Sequence, residues 1–102
     1  MNATQFNRIS KALAEPRRVE ILEAIAGVEE LSCGEIVERF PVSQATISHH
    51  IKELVNAGLA EPRRDGQYCY YRICPKVLAN YIAELQRLVL ISQVKQKSQD
   101  LV

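Results

Sequence analysis

Several familiar announcements of function are missing from this chain. It carries three cysteines in 102 residues, an odd number without framework spacing. That argues against a disulfide scaffold and fits a reducing compartment. No apolar run approaches the roughly 18 residues that span a bilayer, and the polar stretch Met1 to Ser10 lacks the apolar core of a signal peptide. A cytoplasmic location without membrane contact is therefore expected. There is no glycine-rich phosphate loop, no His-Glu-x-x-His and no nucleophile elbow, so no enzyme is expected. Internal repeats, low-complexity tracts and linkers are absent too, and residues 1–102 read as a single domain.

Charge of one sign is also scarce. The formal net charge is only +1, which by itself announces no nucleic-acid partner. Its distribution is more informative. Residues 28–40 hold Glu29, Glu30, Glu35 and Glu38 against Arg39, a local −3 that leaves +4 on the remainder. A basic surface on a near-neutral protein is thereby permitted, although a solvated acidic turn and helix accounts for the cluster equally well.

The patterning that is present predicts mostly helices. Phe6, Ile9 and Leu13 mark a first helix over 4–13. Pro16 opens a second, with Val19, Ile21, Leu22, Ile25 and Ala26 as its buried face and Gly27 as a left-handed end. Ser32 and Glu35 form a capping box for a short third helix ending before Pro41, and Ser43 caps a fourth that reaches Ala57 before Gly58. The period then falls to about two. Residues 59–64 and 67–73 predict strands around Arg64-Asp65-Gly66-Gln67, with Asp-Gly as the hairpin signal and Pro62 marking an edge strand. Cys69, Tyr71 and Ile73 should share one face of the second strand. Pro75 opens a last helix over 75–95, with the apolar stripe Val77, Leu78, Tyr81, Ile82, Leu85, Leu88, Val89 and Val94; the polar tail after Lys95 should fray.

The expected fold is thus mainly α with a small β-hairpin, a winged helix-turn-helix of order α-α-α-α-β-β-α. The helix-turn-helix spans 32–57, the wing 59–73 and a dimerisation helix 75–95. In such motifs the second helix lies in the major groove of double-stranded DNA. On residues 44–56, Ile47, Ile51, Leu54 and Val55 cluster on one side. The other side offers Gln44, Ala45, Thr46, Ser48, His49 and Lys52, with Ser43 at its start. Small hydrogen-bonding and methyl-bearing groups of this kind match base edges, and a lysine matches phosphate. Any amphipathic helix has a polar face, however. The basic wing, with Arg63, Arg64 and Gln67 about its tip, adds a candidate backbone contact.

Four segments carry a family resemblance. They are Lys11-Ala-Leu-Ala-Glu-Pro-Arg-Arg-Val-Glu-Ile-Leu22, Glu30-Leu-Ser-Cys-Gly-Glu-Ile36, Val42-Ser-Gln-Ala-Thr-Ile-Ser-His-His-Ile51 and Gly58-Leu-Ala-Glu-Pro-Arg-Arg-Asp-Gly-Gln-Tyr-Cys-Tyr-Tyr71. In combination they resemble the ArsR/SmtB family of bacterial winged-helix repressors. The resemblance covers residues 11–73 and fades in the last helix. It implies a homodimer formed through the first and last helices, for which Phe6, Ile9, Tyr81, Leu85, Leu88 and Val89 are the candidates. It also implies an operator partner and repression relieved by a signal. The main alternative is a winged helix serving only as a protein-interaction module, which would favour an apolar outward face on the fourth helix.

The family's metal positions are not matched. Its Cys-x-Cys pair falls on Ser32 and Gly34, with Cys33 between them, and the last helix has Glu84 but no histidine. Both histidines, His49 and His50, belong to the fourth helix. Zinc needs about four N, S or O ligands, so no metal or other cofactor is expected. Cys33, Cys69 and Cys74 remain as candidate redox residues, with inert packing as the plainer reading. Cys74, just before Pro75, sits where a helix N-terminus would lower a thiol pKa. An extended span of about 16–18 Å between Cys69 and Cys74 argues against their pairing within one subunit. Any disulfide is expected to join Cys74 to another cysteine or to a second subunit.

Overall fold

The computed structural model describes the backbone of residues 1–100 and side chains through Lys95. Helix α1 (Ala3–Leu13) starts at Asn2, whose side chain accepts from the Gln5 amide at 2.8 Å. Helix α2 (Pro16–Ala26) opens on proline, with Glu15 as its cap. A two-residue strand β1 (Leu31–Ser32) leads into helix α3 (Cys33–Arg39). Both arms of the Ser32/Glu35 capping box form, at 3.1 and 3.2 Å. Helix α4 (Gln44–Asn56) is followed by strands β2 (Ala60–Asp65) and β3 (Tyr68–Ile73) and the long helix α5 (Pro75–Asp100).

Two features of the sheet depart from the hairpin expected. First, β1 joins it, giving the antiparallel order β1-β3-β2 with Leu31 opposite Tyr71 and Ser32 opposite Tyr70. Two residues are too short a run for an alternating pattern to reveal a strand. Second, the loop residues are Gly66 and Gln67, since Asp65 already pairs with Tyr68. Gly66 has φ +61, and among the described residues no non-glycine has positive φ. The turn therefore uses glycine at its first central position, the pattern of a type II′ hairpin. Pro62 lies on β2, an edge strand, as expected.

The core is built from Ile9, Ile21, Ile25, Leu31, Ile36, Ile47, Leu54 and Leu59, all essentially inaccessible to solvent. It ties α1, α2, α3, α4 and the base of the sheet into one unit and holds α4 by its apolar stripe. Val19 and Ala26 are not part of it. At about 100° per residue they lie roughly 140–160° away from Ile21 around the helix, so α2 buries only Ile21, Leu22 and Ile25. Gly27 closes α2 with φ −75, not in the left-handed form expected. Gly58 after α4 does adopt φ +81, with the Gln5 side chain 3.1 Å from where a Cβ would stand.

Helix α5 leaves the body of the molecule, whose longest extent is 64 Å. Only its first turns are anchored. Val77, Leu78 and Tyr81 pack on the core. The Tyr81 ring lies 4.9 Å from that of Phe6, and its hydroxyl shares a 2.9 Å hydrogen bond with Ser10. The helix is assigned through Asp100, beyond the expected end at Lys95. The expected fraying falls on residues 96–102, whose side chains lie outside the described residues. No described helix is long and apolar enough to cross a membrane.

Candidate nucleic-acid interface

Helix α4 is fixed from beneath and open above. Ile47, Ile51 and Leu54 are buried, while Gln44, Ala45, Thr46, Ser48, His49 and Lys52 are all exposed. The fold therefore brings every expected reading residue of α4 to one accessible surface. Ser43 is exposed too, but it has a structural task. Its hydroxyl oxygen accepts from the Thr46 amide at 3.2 Å and its proton goes to Thr46 Oγ1 at 2.9 Å. Ser43 is thus committed to capping the helix, whereas the Thr46 hydroxyl proton stays free to donate.

The two histidines differ in exposure. His49 is exposed, and His50 is only 8% exposed. Arg18 Nε donates to His50 Nδ1 at 3.4 Å, joining α2 to α4 and placing the imidazole proton on Nε2. Burial, then the Arg18 charge, holds the His50 pKa below its ordinary 6.5, with Glu15 acting in opposition. His50 is thus turned into the junction of α2 and α4.

The wing contains fewer free cations than its sequence has. Arg63 Nε donates to Glu30 at 3.0 Å, a second nitrogen of the same guanidinium bonds the other carboxylate oxygen, and the group stacks 4.7 Å from the centre of the Tyr70 ring. This hydrogen-bonded partnership raises the Arg63 pKa and lowers that of Glu30. Arg63, expected as a DNA contact, is thus held in a bracket between the acidic turn before β1 and the wing. Arg72 is likewise engaged, by Glu61 at 3.3 Å. Arg64 and Gln67 remain exposed at and near the tip, and Arg64 has no ion pair among the described residues. Glu30 and Tyr70 are the positioning residues that sequence reasoning missed. Their signal was an acidic cluster without an obvious partner and a basic strand beginning some thirty residues later.

The expected dimer residues divide in two. Phe6 and Tyr81 are half-buried at the joint of α1 and α5, and Leu85, Leu88 and Val89 are 41, 54 and 48% exposed. Ile9 is a correction. It is 0% exposed within one subunit, because the α1 stripe that meets the core runs through it, so it has no surface for a partner.

Cys74 also departs from expectation. Burial and the Glu61 charge push its thiol pKa up, against the lowering expected from the helix terminus, and Arg72 only partly offsets them. Cys33 is raised as well, by burial and then by Cys69. All three thiols are free and half-buried. Among the described residues no three of His, Cys, Asp and Glu gather as metal ligands would.

Comparison with known proteins matches residues 15–61 to the model of the bacterial regulatory protein, arsR family, a span from the cap of α2 to the first strand of the wing. The transcriptional repressor SdpR of Bacillus subtilis is 36% identical over 77 residues, 76% of this chain and 84% of that protein. The chain belongs to the ArsR family. The arsenical resistance operon repressor of Staphylococcus aureus is 34% identical over 85 residues, 83% of this chain and 81% of that one. A solved homodimeric winged helix-turn-helix DNA-binding domain from Mycobacterium bovis superimposes with a TM-score of 0.69 at 33% identity, covering 84% of this ArsR-family chain and 79% of its own. In the fold they share, α3 and α4 form the helix-turn-helix and β2–β3 the wing.

Proposed function

We propose that this ArsR-family chain is a homodimeric, cytoplasmic repressor that binds an operator in double-stranded DNA and leaves it when a signal arrives. The observation that carries the reading is the outward face of α4. Gln44, Ala45, Thr46, Ser48, His49 and Lys52 are presented together on a helix whose other side is locked into the core. Gln44 reads adenine edges, Ala45 and the Thr46 methyl meet thymine methyls, and Lys52 and Arg64 hold phosphates on either side of the groove. A protein-interaction module would favour an apolar outward face on α4, and this one is polar.

Dimerisation supplies the symmetry. From Leu85 to Val94, helix α5 exposes Leu88, Val89, Leu90 and Ile91 in succession, each about half accessible. A groove of about 330 Å³ between α1 and α5, lined by Phe6, Glu84, Arg87 and Leu88, offers a partner helix a seat. Two-fold pairing there sets two α4 helices about 34 Å apart, one turn of DNA, on a roughly palindromic site. Relatives that are transcriptional regulators support a role without catalysis. A mobility-shift titration on the DNA upstream of the protein's own gene tests the reading. Saturable binding that resists excess unrelated DNA is expected, and binding that unrelated DNA abolishes would reject it.

A further inference from the structure

Two thiols lie beside the end of the β1–β3 ladder. Leu31 lies opposite Tyr71 and Ser32 opposite Tyr70. The ladder ends there, and the next step along both chains, where Cys33 begins α3, brings Cys33 and Cys69 to the border of the same groove. Residues facing each other at the last rung have Cα atoms about 4.5–5.5 Å apart, and a disulfide spans roughly 4.4–6.8 Å. The pair lies at the hinge where sheet becomes helix. The groove, of about 260 Å³ between α4 and the wing, is bordered also by Ser48, Lys52, Arg64 and Tyr71. The two thiols sense each other, since the charge of Cys69 helps to raise the Cys33 pKa.

This thiol pair also connects to the candidate DNA contacts. Arg64 of β2 is the register partner of Cys69 on its other side. Ser48 and Lys52, which border the same groove, stand on the outward face of α4. A change at the thiol pair therefore acts on the start of the helix-turn-helix and on the free wing cation at once.

We propose that Cys33 and Cys69 are a dithiol modification site which a hydroperoxide closes to a disulfide, and that closure weakens DNA binding; the second clause rests on the function proposed above. The Cys69 thiolate attacks the terminal oxygen of the hydroperoxide. The O–O bond breaks, and the alkoxide takes a proton to leave as alcohol, or as water from hydrogen peroxide. Cys33 then attacks the Cys69 sulfenic acid, its proton leaves with the hydroxyl as water, and the S–S bond forms. The two thiols lose two electrons and two protons, and the peroxide takes up both. Lys52 and Arg64 line the groove in which the thiolate charge develops. A disulfide draws the two Cβ atoms to about 3.8 Å. The movement pulls β3 and the start of α3 together and shifts Arg64 against α4.

The test uses the full chain, reduced and then treated with hydrogen peroxide, alkylated and mapped by mass spectrometry. A peptide linking Cys33 to Cys69 within one subunit is expected, with Cys74 recovered as an alkylated thiol. Titration of the same samples against upstream DNA should show affinity lowered about tenfold or more, within the usual range of coupling between two sites, and restored by dithiothreitol. Cys74→Ser should respond like the wild type. Cys33→Ser, Cys33→Ala and Cys69→Ser should bind DNA without responding. Absence of the Cys33–Cys69 peptide would overturn the site, and a response that persists in both Cys33 variants would overturn its role as the switch. A linked peptide with unchanged affinity would overturn the coupling. If the reduced protein failed to bind DNA at all, the proposed function would fall, and the disulfide map would still decide the dithiol site.

Discussion

Leu88→Ala separates the part of α5 that serves the subunit from the part that serves a partner. Leu88 is 54% exposed in one subunit, so about half of its surface remains to be buried by association. Full burial of a leucine contributes about 1.5–3 kcal/mol. The unburied half then represents roughly 0.75–1.5 kcal/mol, and a two-fold interface counts it twice, giving about 1.5–3 kcal/mol. That corresponds to a dimer dissociation constant raised about 10- to 150-fold. Sedimentation equilibrium over a range of concentrations measures it, and Leu88→Glu should go further because a charge must also be desolvated. The thermal midpoint of dilute, dissociated protein should barely move, since exposed substitutions usually change stability by less than about 0.5 kcal/mol. An unchanged dissociation constant, or a loss of monomer stability as large as the loss of association, would refute the assignment of this face to a partner.

Three other outcomes follow from the geometry. Gln44→Ala should cost about 1–3 kcal/mol on the best DNA site and relax base preference, whereas Arg64→Ala should weaken all sequences alike and lower the salt slope by about one unit per subunit; binding titrations at several salt concentrations distinguish them. Glu30→Gln and Arg63→Ala should each weaken DNA binding by loosening the wing, and the double variant should be no worse than either alone, because they remove the same bracket. For His50, the folded state holds the pKa below its ordinary 6.5 and so disfavours the proton that the unfolded chain accepts. Stability is then full above that ordinary value and declines as pH falls through it towards the lower folded pKa, which denaturant midpoints measured from pH 7 down to about 5 will show.

The elements that pack by periodicity were legible in the sequence. The stripe Ile47, Ile51 and Leu54 with its Ser43 cap defined α4, and the capping box at Ser32 and Glu35 defined α3, because these signals are local. What stayed hidden depended on partners far along the chain. Strand β1 exists only because Leu31 and Ser32 meet Tyr71 and Tyr70. Arg63 reads as a free wing cation until Glu30 and Tyr70 are seen around it. Ile9 and Leu88 are alike in a hydropathy pattern, and only the packing of α1 shows the first to be core while the second is left outside. The same holds for Cys33, Cys69 and Cys74. Their spacing singles out no pair, whereas the fold brings Cys33 and Cys69 to one groove at the end of the β1–β3 ladder.

The central claim is that α4 and the wing read a two-fold DNA site as a dimer. Fluorescence anisotropy with labelled DNA from upstream of the gene, read for both affinity and stoichiometry, tests it most directly. The account predicts two subunits per site and an affinity that a scrambled duplex of the same length and composition loses by about a thousandfold or more. Equal affinity for the natural and scrambled duplexes, or saturation at one subunit per site, would contradict it.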